Sequence, residues 1–274
     1  MCGIVWTMTV VGQTLPVGQL LRNWRERRRL SQLALACEAE ISSRHLSFLE
    51  TGRSQPSREM ILHLAEQLEV PLRDRNALLI AGGYAPAFSN LPLDDPALRS
   101  ARKAVELVLA GLEPYPALAI DRHWTLSAAN SAVAPLLAGV DASLLEAPVN
   151  VLRLSLHPSG LAPRIANLAE WRAHLLKRLR RQIETTGDAV LEELRNEIYD
   201  YGIPDETDAR IEATDADCAG VFVPLRLVTE RGILSFISTT TVFGTPVEIT
   251  LSELAIESFL PADNATVRNL RNSG

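Results

Sequence analysis

Three serines set the frame of the first eighty residues. Ser31, Ser42 and Ser57 each stand just before a short run of apolar residues at helical spacing. A serine in that place accepts a hydrogen bond from the unpaired N–H groups of the first helical turn. A chain punctuated in this way folds into short helices joined by tight turns. Ahead of the first serine, Val17, Leu20, Leu21 and Trp24 recur at helical spacing with arginines on the other side. After it come Leu33, Ala34, Ala36 and Cys37; after the second, Leu46 and Leu49, ending at Gly52; after the third, Met60, Ile61, Leu64, Ala65 and Leu68. Pro71 opens a fifth segment that runs to about Ala81, with Gly82-Gly83 as its stop. The pattern predicts an all-α bundle of five helices over residues 15–83.

The second and third of these helices are joined by Ala39-Glu40-Ile41-Ser42. A short helix, a tight turn and a second short helix is the geometry that presents one helix to a DNA major groove. With Leu46 and Leu49 inward, Ser43, Arg44, His45 and Ser47 face outward beside the cap Ser42. Arginine bridges guanine N7 and O6, and serine and histidine reach base edges or phosphates. Gln32, at the start of the second helix, is placed for a phosphate, as is Arg53 in the Thr51-Gly52-Arg53-Ser54 loop. The competing interpretation is a small helical bundle whose polar residues are merely solvated. Ser31-Gln32, residues 39–42, Arg44-His45-Leu46-Ser47 and residues 50–57 resemble the Xre/Cro-type helix-turn-helix, which implies duplex DNA as partner. Glu40 departs from the glycine many members carry in the turn, and a left-handed backbone there costs about 1 kcal/mol.

Charge places any phosphate contact in this head. The 274-residue chain carries a net charge of −6, yet residues 17–80 hold ten Arg against eight Asp or Glu, a net of +2, leaving −8 for the rest. Hydrophobic residues at 47% and charged residues at 22% are ordinary for a soluble globular protein. Cys2, Cys37 and Cys218 lie far apart without metal-ligand spacing, which fits a reducing cytoplasm and no metal site. No apolar run approaches the roughly 18 residues needed to span a bilayer. Residues 1–14 read as a disordered leader without signal-peptide features, and Met8 is an alternative start. Met1-Cys2-Gly3-Ile4 resembles the opening of glutamine amidotransferases, but helical patterning from Val17 leaves no room for the large β-rich domain such an enzyme needs.

Residues 84–97, with Pro86, Pro92 and Pro96, read as a linker. A helix is predicted over 98–109, with Val105, Leu109 and Leu112 inward. A β-hairpin follows: residues 116–120, a turn at Asp121-Arg122-His123, and residues 124–127. Asn130 is expected to start a short helix with Val133, Leu136 and Leu137. Residues 168–183 form a helix with Leu168, Trp171, Leu175, Leu179 and Ile183 on one face. Three late strands are predicted at 221–228, 233–243 and 247–251. The order of elements resembles a PAS domain, an α+β fold with an antiparallel sheet, placed at 98–265 and followed by a tail at 266–274.

Glu113-Pro114-Tyr115-Pro116-Ala117, Asp121-Arg122-His123-Trp124, Asn150-Val151-Leu152-Arg153-Leu154, Leu156-His157-Pro158 and residues 167–172, 238–246 and 253–263 resemble the ligand-binding domain of MmyB-like transcription regulators. With the head, the resemblance covers nearly the whole chain. Residues 199–219 match it poorly and read as a variable acidic loop. The resemblance implies a pocket for a small apolar, fatty-acid-like molecule.

In a PAS-type pocket, between sheet and covering helices, Trp124, Trp171, Leu175 and Phe236 are expected as lining, and Arg153, His157 and Asn167 as groups that orient a carboxylate. The same aromatics also suit an ordinary core, and His157 a structural role. Lys177, Arg178, Arg180 and Arg181 read as a solvated helix face. No Gly-rich phosphate loop, metal-ligand spacing or nucleophile elbow stands out, and no cofactor is expected. The leading expectation is a non-enzymatic, homodimeric, cytoplasmic DNA-binding regulator that senses a small ligand. A lipid-modifying enzyme tethered to DNA, or a body that only dimerises, remain the alternatives.

Overall fold

The computed structural model describes residues 15–202, 222–244, 246 and 248–271. The expected leader at 1–14, and most of the acidic loop at 199–219, lie outside the described residues. The chain divides into two compact units between Ser89 and Asn90. The first is an all-α helix-turn-helix bundle, and the second is an α+β PAS-like domain with an antiparallel sheet.

Among its described residues, five helices build the first unit: α1 (Val17–Arg27), α2 (Gln32–Glu38), α3 (Ser43–Glu50), α4 (Arg58–Gln67) and α5 (Leu72–Ala81). The three serines cap as their positions predict. Ser31 Oγ accepts the Ala34 N–H at 3.0 Å, Ser42 the His45 N–H at 3.1 Å and Ser57 the Met60 N–H at 3.1 Å. Leu21, Leu35, Leu46, Leu49, Ile61, Leu64 and Leu79 close the core. Gly18 lets α1 and α3 touch: a Cβ there would lie 2.2 Å from the Leu49 carbonyl oxygen. Glu40 adopts φ 52° in the turn before α3, the left-handed conformation its position demands, at the cost already noted.

One ion pair crosses this bundle. Arg25 Nε and Nη2 donate to the two Glu50 oxygens at 2.6 and 2.9 Å, and Arg25 Nη1 donates to the Leu30 carbonyl at 2.8 Å. Gln32 Nε2 adds a third donor to Glu50 at 2.7 Å. The pair is almost dry, with side-chain exposures of 9% and 1%, and it ties α1 to the C-terminal end of α3. Beyond α5, Asn76 holds the chain at Phe88 by accepting the Ala87 and Phe88 N–H groups and donating to the Phe88 carbonyl.

The second unit contains α6 (Arg99–Gly111), β1 (Ala117–Ile120), β2 (Leu126–Ala129), α7 (Val151–Leu156), α8 (Leu168–Thr186), α9 (Ala189–Asp200), β3 (Leu225–Thr229), β4 (Gly232–Val242), α10 (Ile249–Ser252), β5 (Ala255–Pro261) and α11 (Asn264–Arg271). The five strands form one antiparallel sheet in the order β2-β1-β5-β4-β3. Val105 and Leu109 of α6 pack with Ala117, Ala119, Leu254 and Ile256. The larger cluster gathers Leu152 of α7, Trp171, Leu175, Leu179 and Ile183 of α8, Leu191, Leu194 and Ile198 of α9, and Phe236 of β4.

Several sequence expectations need correction. The third late strand is β5, not residues 247–251. Glu248, almost fully buried, accepts the Leu251 N–H at 3.0 Å and so caps the short helix α10 where the apolar alternation suggested extended chain; Val247 itself lies outside the described residues. The strand expected at 221–228 begins at Leu225, and Val221 is likewise outside them. Asn130 starts no helix. Its amide accepts the Ala117 N–H and donates to the Leu109 and Tyr115 carbonyls, stapling α6 to β1, and only a 3-10 turn at Ala134–Leu137 follows. The expected tail from 266 overlaps α11, which packs on β4 and where Thr266 Oγ1 accepts the Ser235 N–H at 2.9 Å. At the other end of the unit, Glu248 accepts the Leu91 N–H at 3.1 Å, and Thr250 Oγ1 donates to the Leu91 carbonyl at 2.5 Å.

Removing one partner of the dry pair strands the other. Glu50→Ala is expected to destabilise the first unit by about 3–5 kcal/mol, whereas Arg22→Ala, which breaks only the exposed and solvent-screened Arg22–Glu26 pair, is expected to change stability little. Urea unfolding of the full chain reads the difference.

Candidate nucleic-acid interface and ligand cavity

On α3 the inward and outward residues separate as helical geometry requires. Leu46 and Leu49 are buried, Ser43, Arg44 and His45 are exposed, and Ser47 is half-buried. Ser42 is exposed but its hydroxyl oxygen is committed to the cap. Gln32 is less available than its sequence position suggests, because Glu50 holds its amide nitrogen. Sequence reading passed over Phe48. Its half-buried ring carries the Arg44 guanidinium at 5.3 Å and the Arg53 guanidinium at 5.9 Å. Stacking of this kind orders a long side chain while leaving the donor edge of its fork available. The signal was there in the spacing, with Arg44 one helical turn before Phe48.

In the second unit, a cavity of about 100 Å³ lies between the sheet and α7–α8. Trp124, Trp171, Leu175 and Phe236 line it, as do Leu118 and Phe259 of the sheet and Leu136 and Leu137 of the 3-10 turn. Arg153, His157 and Asn167 do not. Arg153 forms a two-bond pair with Glu197, Nε to Oε1 at 2.8 Å and Nη2 to Oε2 at 2.7 Å. Tyr201 also donates to Glu197, and the His157 ring meets the Tyr201 ring edge-on at 4.9 Å. His157 Nδ1 accepts the Ser159 N–H. Asn167 donates to the Pro224 carbonyl and accepts the Arg226 N–H, joining the start of α8 to β3. These three residues fasten elements together instead of facing the cavity.

The cavity's charged wall comes from residues outside that trio. Trp171, Leu175 and Arg178 fall on one stripe of α8, so Arg178 leaves the solvated basic run and turns inward. It meets Glu257 of β5, Nη2 to Oε1 at 2.6 Å and Nη1 to Oε2 at 3.2 Å. Thr240, in register with Glu257, donates to Oε1 at 2.8 Å and accepts from Arg178 Nη2 at 3.0 Å. The guanidinium lies 4.8 Å from the Trp124 ring. Trp124 reaches this position through a left-handed backbone, φ 65°, in the turn that Asp121 organises. Its indole N–H donates to Gln182 at 2.9 Å, and Gln182 returns a bond to the Arg122 carbonyl. Among the described lining residues Ser155 of α7 carries the one hydroxyl, and its oxygen accepts the Trp171 indole N–H at 3.0 Å.

The cavity is smaller than the roughly 150 Å³ that holds one benzene, so a long acyl chain enters fully only as lining side chains move outward. Among the described residues, no cluster of three or more His, Cys, Asp or Glu is arranged to hold a metal ion, and no helix is long and apolar enough to cross a membrane.

Residues 101–272 match the MmyB-like transcription regulator ligand binding domain, and residues 16–78 match a helix-turn-helix domain. No curated protein matches the chain.

Beside the cavity, burial and then the Arg178 charge push the His174 imidazole below its ordinary range, and its Nε2 is buried with no partner among the described residues. The unfolded chain therefore takes up a proton below about pH 6.5 that the folded chain refuses. Stability is expected to fall as the pH drops through that value, until the depressed folded-state value is reached. Glu197, held low by its bond from Arg153, adds a loss only once the pH falls below about 4.3. Urea midpoints between pH 8 and 5 are expected to slope for the native chain, and less for His174→Gln.

Proposed function

Because the chain belongs to the MmyB-like transcription regulators, a DNA-binding helix-turn-helix unit joined to a ligand-binding domain, we propose that α3 reads a duplex sequence while the second unit senses a small apolar, fatty-acyl-like ligand. The observation that carries the DNA half is the division of α3: two leucines buried in the bundle and Ser43, Arg44 and His45 turned to solvent beside a half-buried Ser47. Arg44 reads a guanine, steadied on Phe48; Ser42, Ser43, His45 and Ser47 meet base edges or backbone; Arg53, and Gln32 through its remaining hydrogen-bonding capacity, sit at phosphates. The protein acts as a cytoplasmic homodimer on an inverted repeat, with reading helices about 34 Å apart.

Sensing is favoured for the second unit over catalysis and over dimerisation alone. Its wall offers a cavity, which a purely dimerising body has no use for. The Ser155 oxygen is engaged by the Trp171 indole, and among the described residues no histidine is hydrogen-bonded to it as a base. The ligand acts on DNA affinity by the difference in its binding to two arrangements of the protein.

Fluorescence anisotropy with duplexes from the protein's own promoter region tests the DNA half. Arg44→Ala and His45→Ala are each expected to cost about 1–3 kcal/mol on the specific duplex and little on a scrambled one. Arg53→Ala is expected to weaken both alike and to reduce the salt slope by roughly 0.9. Unchanged affinity of the Arg44→Ala/His45→Ala protein refutes the proposed reading helix.

A further inference from the structure

We propose that the cavity of the second unit selects a neutral oxygen head group, such as an alcohol, ketone or ester on an apolar chain, and discriminates against the free carboxylate of the same chain. This rests on reading the cavity as the ligand site, and it specifies the ligand's chemistry.

Among the described residues, the charged side chains on the cavity wall are Arg178 and Glu257, and they are paired with each other. Both Nη atoms of Arg178 donate to Glu257, and Thr240 closes the triangle by bonding to both. Side-chain exposures of 26% and 5% leave the carboxylate much the drier of the two. The wall therefore presents no net charge. An incoming carboxylate has two choices. It shares Arg178 through the N–H groups that Glu257 and Thr240 leave, so that one cation answers two anions, or it lies beside Glu257 with its own charge unanswered. Either arrangement leaves one negative charge uncompensated away from water, which is among the most costly changes a protein interior can undergo.

Among the described residues no second cation relieves this. Arg153 is held by Glu197 away from the cavity wall. Arg164, which touches the turn carrying Leu136, spends Nη1 on the Leu136 and Ala138 carbonyls. The wall does carry one suitable donor. The Ser155 oxygen accepts from the Trp171 indole, which leaves the hydroxyl proton without an acceptor among the described residues. A single O–H set among leucines and tryptophans matches one neutral acceptor oxygen; it does not match a carboxylate, which wants several donors.

The test uses the full chain freed of co-purified lipid, with calorimetry and the emission of Trp124 and Trp171 as readouts. The probes are hexan-1-ol, hexan-2-one and hexanoate, then decan-1-ol, decan-2-one and decanoate, all at pH 7.5. At each chain length the alcohol and ketone are expected to bind at least about tenfold more tightly than the acid, the effect of one hydrogen bond won or one charge left unpaired. Ser155→Ala is expected to weaken the alcohol and ketone about tenfold and leave the acid unchanged, whereas general damage to the cavity lowers all three. Glu257→Gln frees the Arg178 charge and is expected to raise acid affinity about tenfold or more. Should that variant unfold on heating controls, the native series and Ser155→Ala decide the matter alone. Equal or tighter binding of the acid by the native protein overturns the head-group proposal. If none of the six probes binds, the interpretation of the cavity as a ligand site for such molecules fails with it.

Discussion

Glu257 stands on the cavity side of β5, in register with Leu118 on one neighbour and Thr240 on the other, and a carboxylate there is tolerable only if Arg178 answers it. Removing water from two opposite charges costs several kcal/mol per ion, recovered only in good geometry with the remaining hydrogen-bonding capacity satisfied. The fold meets that condition by delivering α8 across the sheet at the height where the fork of Arg178 faces both carboxylate oxygens. Trp171 and Leu175, on the same stripe of α8, are thereby placed on the cavity. Trp124 covers the guanidinium from the hairpin side and anchors the helix again through Gln182. Specific placement, more than net stability, is what such a pair provides.

The same device recurs in the first unit with different parts. Arg25 and Gln32 converge on Glu50, at the last residue of α3, so both preceding helices are pinned to the element that turns its other side outward. Gly18 permits the close contact of α1 with α3, and Ser42 fixes where α3 begins. A helix fixed at its start, its end and its inner face holds its outer side chains in register.

Much of this was legible in the sequence because it depends on local rules. The serine caps, the left-handed turn at Glu40 and the inward leucines of α3 follow from short-range chemistry and a 3.6-residue period. The apolar lining at Trp124, Trp171, Leu175 and Phe236 was instead an expectation from the resemblance to a PAS-type pocket, beside the alternative of an ordinary core, and these four side chains do border the cavity. What sequence reading missed depends on partners distant along the chain. Arg178 looked like one more solvated base in a run, since nothing near it in sequence reveals Glu257 some eighty residues on. Arg153, His157 and Asn167 looked like carboxylate ligands because their types suit that work, but Glu197, Ser159 and Pro224 claim them. The strand at β5 was obscured because Glu257 interrupts its apolar pattern, and α10 was mistaken for a strand because Glu248 caps a single turn.

The ties at Phe88 and Leu91 shorten the connection between the two units to a span that chain composition alone does not suggest. Asn76 grips one side and Glu248 with Thr250 the other, so only Ser89 and Asn90 separate the anchored residues. Three peptide links reach roughly 11 Å at most. The second of these anchors lies on α10, a few residues ahead of the strand that bears Glu257, so any shift of α10 is felt directly at Leu91, where the second unit begins.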